Sequence, residues 1–406
     1  MSFRLTDEQA AVRAAVREFG DNEIRPVARE HDEARSYPDE IRRQAAEYDF
    51  VAPHVPEEYG GAGMDLTTKL IVVEELWRAD PGIGSAIGSA GFGTEMILHY
   101  GNEWMREKWL PKVTSGEAVS CSCISEPGHG SNVAGIETTA RREEGSGAEP
   151  TARREEGSGA EQSGVAAEKD GDEYVIDGQK MWITNGSVAD VAMVMAKTDP
   201  DAGRKGITAF LVPTDTDGFE PTKIDNKLGL HASDLAEIVL DGVRVPAENV
   251  IGEVDEGFYQ LMNFFAEGRC KVAAQAIGAA QGALDAALDY AGEREQFGQP
   301  IGEFQAIEHK LAEMATNVEA ARSLAYRAAS HVEDGEEAQA MQFASMAKLF
   351  ASEHAVDVAD EAIQVHGGAG YVTDHPVERY FRDARVTKIY EGTSEIQKNI
   401  IADRLQ

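Results

Sequence analysis

The period of the apolar residues changes twice along this chain, and that change constrains the fold more than any other feature. From residue 5 to about 115 the period is helical, as in "KLIVVEELWRAD", and Thr6 followed by Gln9 predicts a helix start. Between 117 and 246, short β-branched runs alternate with Gly, Asp and Pro, which predicts strands joined by turns. The helical period then returns for the rest of the chain.

Helices, then strands, then helices indicate separate domains, with a β block packed against helical ones. A chain of 406 residues is long enough for two or three such domains. We predict an N-terminal α-helical domain over residues 1–116, a middle β domain over 117–246 and a C-terminal α-helical domain over 247–406.

One segment of the β block departs from its pattern. "TARREEGSGAEP" at 139–150 is followed directly by "TARREEGSGAEQ" at 151–162, a tandem repeat of 12 residues. The repeat is polar, rich in Gly and Ser, and has no apolar face, so it buries too little to offset the entropy of ordering. We predict a flexible, exposed loop over 139–162. A partner-binding loop is the alternative.

The charge excludes some classes of partner. Asp and Glu number 72 and Lys and Arg number 38, a net charge of −34, which argues against nucleic acid and anionic membranes as partners. The acidic residues are spread along the whole chain, and their mutual repulsion destabilises a compact state unless salt screens it. This predicts a protein adapted to molar salt, as in haloarchaea. An ordinary acidic protein is the alternative.

The chain carries no apolar run near the roughly 20 residues that a membrane span needs. Its N-terminus, "MSFRLTDEQAAVRAAVREF", is charged and amphipathic and has no apolar signal-peptide centre. We therefore expect a cytoplasmic protein. The three cysteines have no metal-ligand spacing, and Cys121 and Cys123 are predicted to be small core residues on one face of a strand.

Five stretches could carry chemistry: "CSCISEPGHGSNVAG" (121–135), "KMWITNG" (180–186), "EREQFGQPIGEFQ" (293–305), "QVHGGAGYVTDHPVERYFRDAR" (364–385) and "KIYEGTSEIQKN" (388–399). The first is a turn that presents N–H groups and hydroxyls, and the second sets a Trp and a Thr on one strand face. Taken singly, these stretches are also explained by an ordinary turn, a core Trp, a solvated Arg and a charge at a helix start.

In their common order and spacing, and together with "GITAFLVP" and "KLGLHASD", these stretches resemble the acyl-CoA dehydrogenase family over nearly the full chain. The resemblance implies an α+β homotetramer with an N-terminal α-helical domain, a middle β-barrel and a C-terminal four-helix bundle. It also implies an FAD-dependent enzyme that converts an acyl-CoA thioester to the trans-2-enoyl-CoA, as in fatty acid β-oxidation. Electrons would pass to an electron-transfer flavoprotein.

The resemblance assigns the contacts with FAD to five segments, of which the third and fourth act partly across a subunit interface. The implied contacts are Ser122, Cys123, Ile124, Ser125, Gly130 and Ser131; Trp182, Ile183 and Thr184; Arg294, Gln296, Phe304 and Gln305; Gln364, Val365, Gly367 and Gly368; and Gly392, Thr393, Ser394 and Glu395. The implied substrate contacts are Ser131, Arg269, Glu391 and Gly392.

In this resemblance Glu391 is the catalytic base that removes the α-proton of the thioester. Branched-chain relatives carry their base immediately before the arginine of the long helix, and here that position is Gly268, so Glu391 is favoured and Glu267 remains a minor rival. An acyl-CoA oxidase that uses O₂ is one alternative, although oxidases are usually longer. A non-catalytic scaffold is another, although it would be expected to lose the base.

The acyl chain is constrained only weakly. No Lys or Arg occurs from Ala79 to Glu103, the stretch expected to line the pocket for the acyl tail. A dicarboxylic substrate such as glutaryl-CoA would need a cation there and is disfavoured, so we expect short to medium straight chains.

The charge pattern generates a test of the salt adaptation. Because the net charge is −34 and dispersed, the melting temperature should rise steeply between ~0.1 M and ~2 M KCl, a range over which the screening length falls several-fold. Differential scanning fluorimetry across that range measures it. An unchanged melting temperature would show that the acidic surface is not an adaptation to salt.

Overall fold

The structure is a computed structural model that describes residues 4–143 and 172–405. Its first helix begins as predicted: the Gln9 amide donates to the Thr6 hydroxyl, and the Thr6 amide donates to the Gln9 side chain, both at 3.1 Å. This reciprocal cap satisfies two amides that the helix leaves free. The N-terminal domain consists of helices α1 (Asp7–Phe19), α2 (Ala28–Ala34), α3 (Asp39–Glu47), α4 (Leu66–Ala79), α5 (Pro81–Gly88), α6 (Thr94–Tyr100) and α7 (Glu103–Thr114).

The middle domain is built on one sheet of eight strands, with Cys121 and Cys123 buried in its core as predicted. The sheet runs in the order β6-β7-β3-β2-β4-β5-β8, and β1 pairs in parallel with β4. The strands are β1 (Ser120–Cys123), β2 (Thr139–Glu143), β3 (Glu173–Thr184), β4 (Val191–Lys197), β5 (Ile207–Pro213), β6 (Phe219–Lys223), β7 (Leu235–Pro246) and β8 (Val250–Ile251).

Strand β2 corrects one prediction. The repeat was predicted to form a flexible loop from residue 139, but Thr139–Glu143 pair antiparallel with β3, from Thr139 opposite Asp177 to Glu143 opposite Glu173. Strand pairing uses main-chain hydrogen bonds, so a segment with polar side chains can still join a sheet. Ala140 is also buried in the sheet core. The rest of the predicted loop, 144–162, lies outside the described residues.

The C-terminal domain is helical, so the predicted three-part fold class is confirmed. Three long helices pack against one another, and the last helix packs on α10. The elements are α8 (Gly257–Glu293), β9 (Glu295–Gln296), β10 (Gln299–Pro300), α9 (Gln305–Glu333), α10 (Glu337–His366), α11 (Val377–Ala384) and α12 (Ser394–Arg404). Among the described residues, no helix is both long and apolar enough to cross a bilayer.

Helix α4 links the domains because it is buried on all sides from Thr68 to Ala79 and crosses α8 at very short range. A Cβ atom on Gly278 would lie 2.3 Å from the Glu74 carbonyl oxygen, and one on Gly282 would lie 2.4 Å from the Arg78 carbonyl oxygen. Any side chain at these two positions would force the helices apart. The buried Glu74 carboxylate is matched across the domains by Arg322 of α9, at 2.8 Å.

Candidate active site

A cavity of about 850 Å³, including the part open to solvent, lies where α4, α6 and α8 meet the sheet. Its walls combine an apolar surface with an unusual number of charged side chains. The apolar walls are Phe92, Met96, Ile124, Met193, Leu261, Phe264, Phe265 and Val272. The charged walls are Lys69, Glu95, Glu267, Lys271 and Glu391.

Glu391 reaches this cavity from a short joint before α12, where its main chain is left-handed, with φ 52° for Glu391 and 87° for Gly392. That conformation is uncommon for a residue with a side chain and costs about 1–3 kcal/mol. Two side chains stabilise the joint by donating to its main-chain carbonyls. Lys348 Nζ donates to Gly392 O at 2.7 Å. Gln397 Nε2 donates to Glu391 O at 3.1 Å and to Gly392 O at 2.9 Å.

The Glu391 carboxylate lies against α8 at Gly268. A Cβ atom on Gly268 would be 3.1 Å from Glu391 Oε2, so the absence of a side chain at 268 gives the carboxylate its room. Burial raises the pKa of Glu391, while the nearby cations Lys271 and Arg269 limit the rise. The result is a carboxylate of increased basicity that faces a cavity with both apolar and charged walls.

The other two cavity carboxylates are committed to Lys69, whose ammonium lies 2.6 Å from Glu267 and 2.9 Å from Glu95. Burial alone would raise the pKa of Glu95, but Lys69 holds this pKa well below its usual range. Glu267, the minor rival for the base, is thus already paired. This ion-pair cluster joins three elements that are distant in sequence, and no spacing in the sequence signalled it.

The prediction about the acyl chain considered only one of the segments that line the cavity. The stretch from Ala79 to Glu103 lacks Lys and Arg, but cations enter the cavity from other helices, Lys69 from α4 and Lys271 from α8. The tail pocket was predicted from one segment, whereas helix packing brings side chains from three. The absence of cations in that segment therefore gives no argument against a polar acyl chain.

The first two segments predicted to contact FAD meet at this cavity, where Ser122, Ile124 and Thr184 line the wall opposite α8. Trp182, two residues before Thr184, has φ 62° and is 58% exposed. It is therefore not the core Trp of the alternative interpretation. The side chains of Cys123 and Ile183 are buried in the sheet core, so only their main chain can face a ligand.

The "SEPG" turn is fixed against β3 by a buried ion pair that the sequence did not signal. Glu126 accepts from Lys180 Nζ at 2.8 Å and from the Thr138 hydroxyl at 2.6 Å, and Met181 N donates to Ser125 O at 2.9 Å. Burial opposes ionisation of Glu126, but Lys180 lowers the pKa of this carboxyl below its usual value. The turn therefore keeps its place beside Trp182.

The residues of this wall fit a flat, polar ring system such as a flavin. The hydroxyls of Ser125, Ser131 and Thr184 make no hydrogen bond to any part of the chain that the structure describes. Thr184 follows the exposed Trp182 by two residues, and the Ser125 carbonyl accepts from the amide of Met181, next to Trp182. Free donors beside an open aromatic face suit a planar group that carries hydrogen-bond acceptors. Gly130 is exposed on the same turn.

The remaining predicted FAD contacts do not line this cavity within one chain. Those in the third and fourth segments lie on the β9–β10 hairpin, at the start of α9 and at the end of α10. The exposed ones are Arg294, Gln296, Gln305, Gln364, Gly367 and Gly368, while Phe304 is half-buried and Val365 is buried. Near Glu391, Thr393 caps α12, Ser394 is buried and donates to Glu353 at 2.6 Å, and Glu395 is exposed.

Arg269, a predicted substrate contact, is buried between α8 and α10 and donates to the sulfur of Met341. Its Nε has no partner among the described residues. The guanidinium interacts electrostatically with Glu391 but does not line the cavity. Its contact with substrate, like the individual FAD contacts, stays a prediction.

Comparison with known families and proteins gives a consistent result. The model described as "Acyl-CoA dehydrogenase, N-terminal domain" matches residues 6–117, "Acyl-CoA dehydrogenase, middle domain" matches 148–243, and "Acyl-CoA dehydrogenase, C-terminal domain" matches 255–406. The chain is 39% identical over 402 residues to the "Acyl-CoA dehydrogenase" of Bacillus subtilis (strain 168), covering 99% of this chain and 98% of that one.

Two solved structures are similar to the whole chain. One is the butyryl-CoA dehydrogenase from Megasphaera elsdenii, with a TM-score of 0.88 and 35% identity, covering 100% of both chains. The other is described as the electron transferring flavoprotein of Acidaminococcus fermentans, with a TM-score of 0.89 and 37% identity, covering 100% of this chain and 99% of that one.

The buried pair beneath the "SEPG" turn generates a prediction. Lys180→Met should lower stability by about 3–5 kcal/mol, because it leaves the buried Glu126 carboxylate without its cation. Thermal unfolding of the purified variant measures the loss. Lys112→Met is the matched control, since Lys112 pairs with Glu117 at the same 2.8 Å but on the surface, and it should change little. Equal effects in both variants would contradict the assignment.

Proposed function

The chain belongs to the acyl-CoA dehydrogenase family, and we propose that Glu391 is the base with which it dehydrogenates a short to medium straight-chain acyl-CoA. FAD-dependent dehydrogenation of acyl-CoA thioesters is the activity of the family. The observation that carries the proposal is the state of the cavity carboxylates. Glu95 and Glu267 are both paired with Lys69, whereas Glu391 makes no such pair among the described residues.

Removal of an α-proton from a thioester needs a carboxylate near that carbon and a donor on the carbonyl oxygen, where negative charge develops. Glu391 offers both, since its carboxylate faces the cavity and its main-chain N–H donates to no described residue. Burial raises the pKa of Glu391, so the carboxylate holds the proton that it takes. Bound FAD would supply the acceptor for the hydride of the β-carbon, so that the product would be the trans-2-enoyl thioester.

For FAD we propose two sets of residues from different chains of a homotetramer. Ser125, Trp182 and Thr184 would hold the ring beside the cavity, and Arg294 with its predicted partners would reach the FAD of a neighbouring subunit. The exposure of Phe297 (96%) and Tyr371 (88%) close to that second set supports burial by another subunit. A solution mass of one chain, by light scattering, would contradict it.

Glu391→Gln separates a base from a helix-start charge. Gln keeps the size and hydrogen bonding of Glu but accepts no proton, so the variant should still bind FAD and acyl-CoA. Flavin reduction by butyryl-CoA should fall by at least the ~10²–10⁴-fold typical of a lost general base. Anaerobic stopped-flow absorbance of the flavin measures the rate.

Glu337→Gln is the matched control, because Glu337 is the first residue of α10, is exposed and is not among the residues that line the cavity. It should reduce its flavin at the wild-type rate. If Glu391→Gln also bleached rapidly, Glu391 would be only a charge beside the start of α12, and the base would have to be sought elsewhere.

As electron acceptor we propose an electron-transfer flavoprotein, supported by the similarity to the Acidaminococcus fermentans chain. The enzyme reduced by substrate should then react slowly with O₂ and rapidly with such a flavoprotein. Stopped-flow reoxidation with each acceptor measures the two rates. Reoxidation by O₂ at the rate of turnover would instead identify an acyl-CoA oxidase.

A further inference from the structure

Lys271 is a cavity cation whose only part in the proposed reaction is its electrostatic effect on Glu391. Its ammonium makes no hydrogen bond and no ion pair with any residue of 4–143 or 172–405, and it lies 5.4 Å from the centre of the Phe92 ring. Lys69 behaves differently, since two carboxylates hold it. Burial lowers the pKa of Lys271, while the surrounding carboxylates Glu95, Glu391 and Glu267 oppose that shift.

The position of Lys271 relates it to the acyl chain. It lies three residues after Gly268, against which the Glu391 carboxylate rests, so its Cα is about 4.5 Å further along α8. A smaller cavity shares Lys69, Glu95 and Lys271 with the first one. Residues three apart lie on the same face of a helix, so Lys271 faces the cavity on the side of α8 against which Glu391 rests, and it lines both cavities.

A purely hydrocarbon chain in this space would displace water from the ammonium and leave a charge without a partner, which is costly. An oxygen atom on the chain would restore the hydrogen bond. Two lysines and three carboxylates line the cavity, so its net charge is −1 when Glu391 is ionised, and a neutral oxygen leaves that charge unchanged. A carboxylate would add one negative charge and would gain a stronger bond to Lys271.

We propose that Lys271 is a specificity-determining residue that selects acyl-CoA thioesters whose chain carries a hydrogen-bond-accepting oxygen at its far end. The proposal rests on the proposed function, since it takes the reacting carbons to lie beside Glu391. A hydroxyl and a carboxylate share the required chemistry, and the experiment separates them.

The test measures binding of three CoA thioethers to the FAD-loaded enzyme by titration calorimetry: S-pentyl-CoA, S-(5-hydroxypentyl)-CoA and S-(4-carboxybutyl)-CoA. They lack the thioester carbonyl and its acidic α-proton, so their binding does not depend on Glu391 as a base. At least one oxygenated thioether should bind about ten- to a hundredfold more tightly than S-pentyl-CoA. The tighter of the two identifies the source of the oxygen.

In Lys271→Met this preference should fall to about one, and in Lys271→Arg it should persist, because Arg keeps the donors. Lys205→Met, an exposed lysine outside the cavity, should keep the wild-type preference. The proposal is overturned if S-pentyl-CoA binds wild type as tightly as the other two, or if Lys271→Met keeps the preference. If Lys271→Met does not fold, equal binding of the three thioethers to the wild type, or loss of the preference in Lys271→Arg, still overturns the proposal.

Failure of the proposed function is seen separately. If no acyl-CoA reduces the flavin of the wild type while the oxygenated thioethers still bind preferentially, the base assignment fails and the role of Lys271 stands. If straight acyl-CoAs reduce the flavin but the three thioethers bind equally, the proposed role of Lys271 fails and the proposed function stands.

Discussion

The crossing of α4 and α8 is the contact on which the cavity depends. Gly278 and Gly282 let α8 approach the carbonyls of α4 to distances that no side chain would allow. Because α8 is one continuous helix of 37 residues, fixing this crossing also fixes the direction in which Gly268 and Lys271 face. Lys69 comes from α4 itself. The charges around the cavity are therefore set by a rigid helix pair, which suits a site that must hold its geometry.

Within one cavity the pKa of Glu95 is lowered and the pKa of Glu391 is raised, so the two carboxylates differ in their tendency to take up a proton. Lys69 keeps the pKa of Glu95 low against the effect of burial, so Glu95 remains an ionised structural partner. Burial dominates at Glu391 and raises its pKa, because its cations are more distant. Groups whose environments separate their pKa values in this way are typical of acid–base sites. Glu95 and Glu267 are both paired with Lys69, whereas Glu391 has no ion-pair partner among the described residues.

From local pattern and a family resemblance the sequence predicted the Thr6 cap, the three-part order of helices and strands, and the turn at "SEPG". It failed where contacts join distant segments. Lys69 and Glu267 are 198 positions apart, and Glu126 and Lys180 are 54 apart, so neither pair leaves a periodic signal. Strand β2 was missed for a different reason. Its side chains are mostly polar and show no strand pattern, yet its main chain pairs with β3.

The joint at Glu391 shows how a costly local conformation is retained. A non-glycine residue at φ 52° would relax to the right-handed region if its neighbours allowed it. Lys348 and Gln397 prevent this by donating to the two carbonyls of the joint, and Lys348 is fully buried although burial lowers its pKa to about 8. The left-handed turn aims the side chain back at α8, toward the gap that Gly268 leaves. The carboxylate stands on this joint because no regular helix or strand would direct it into that gap.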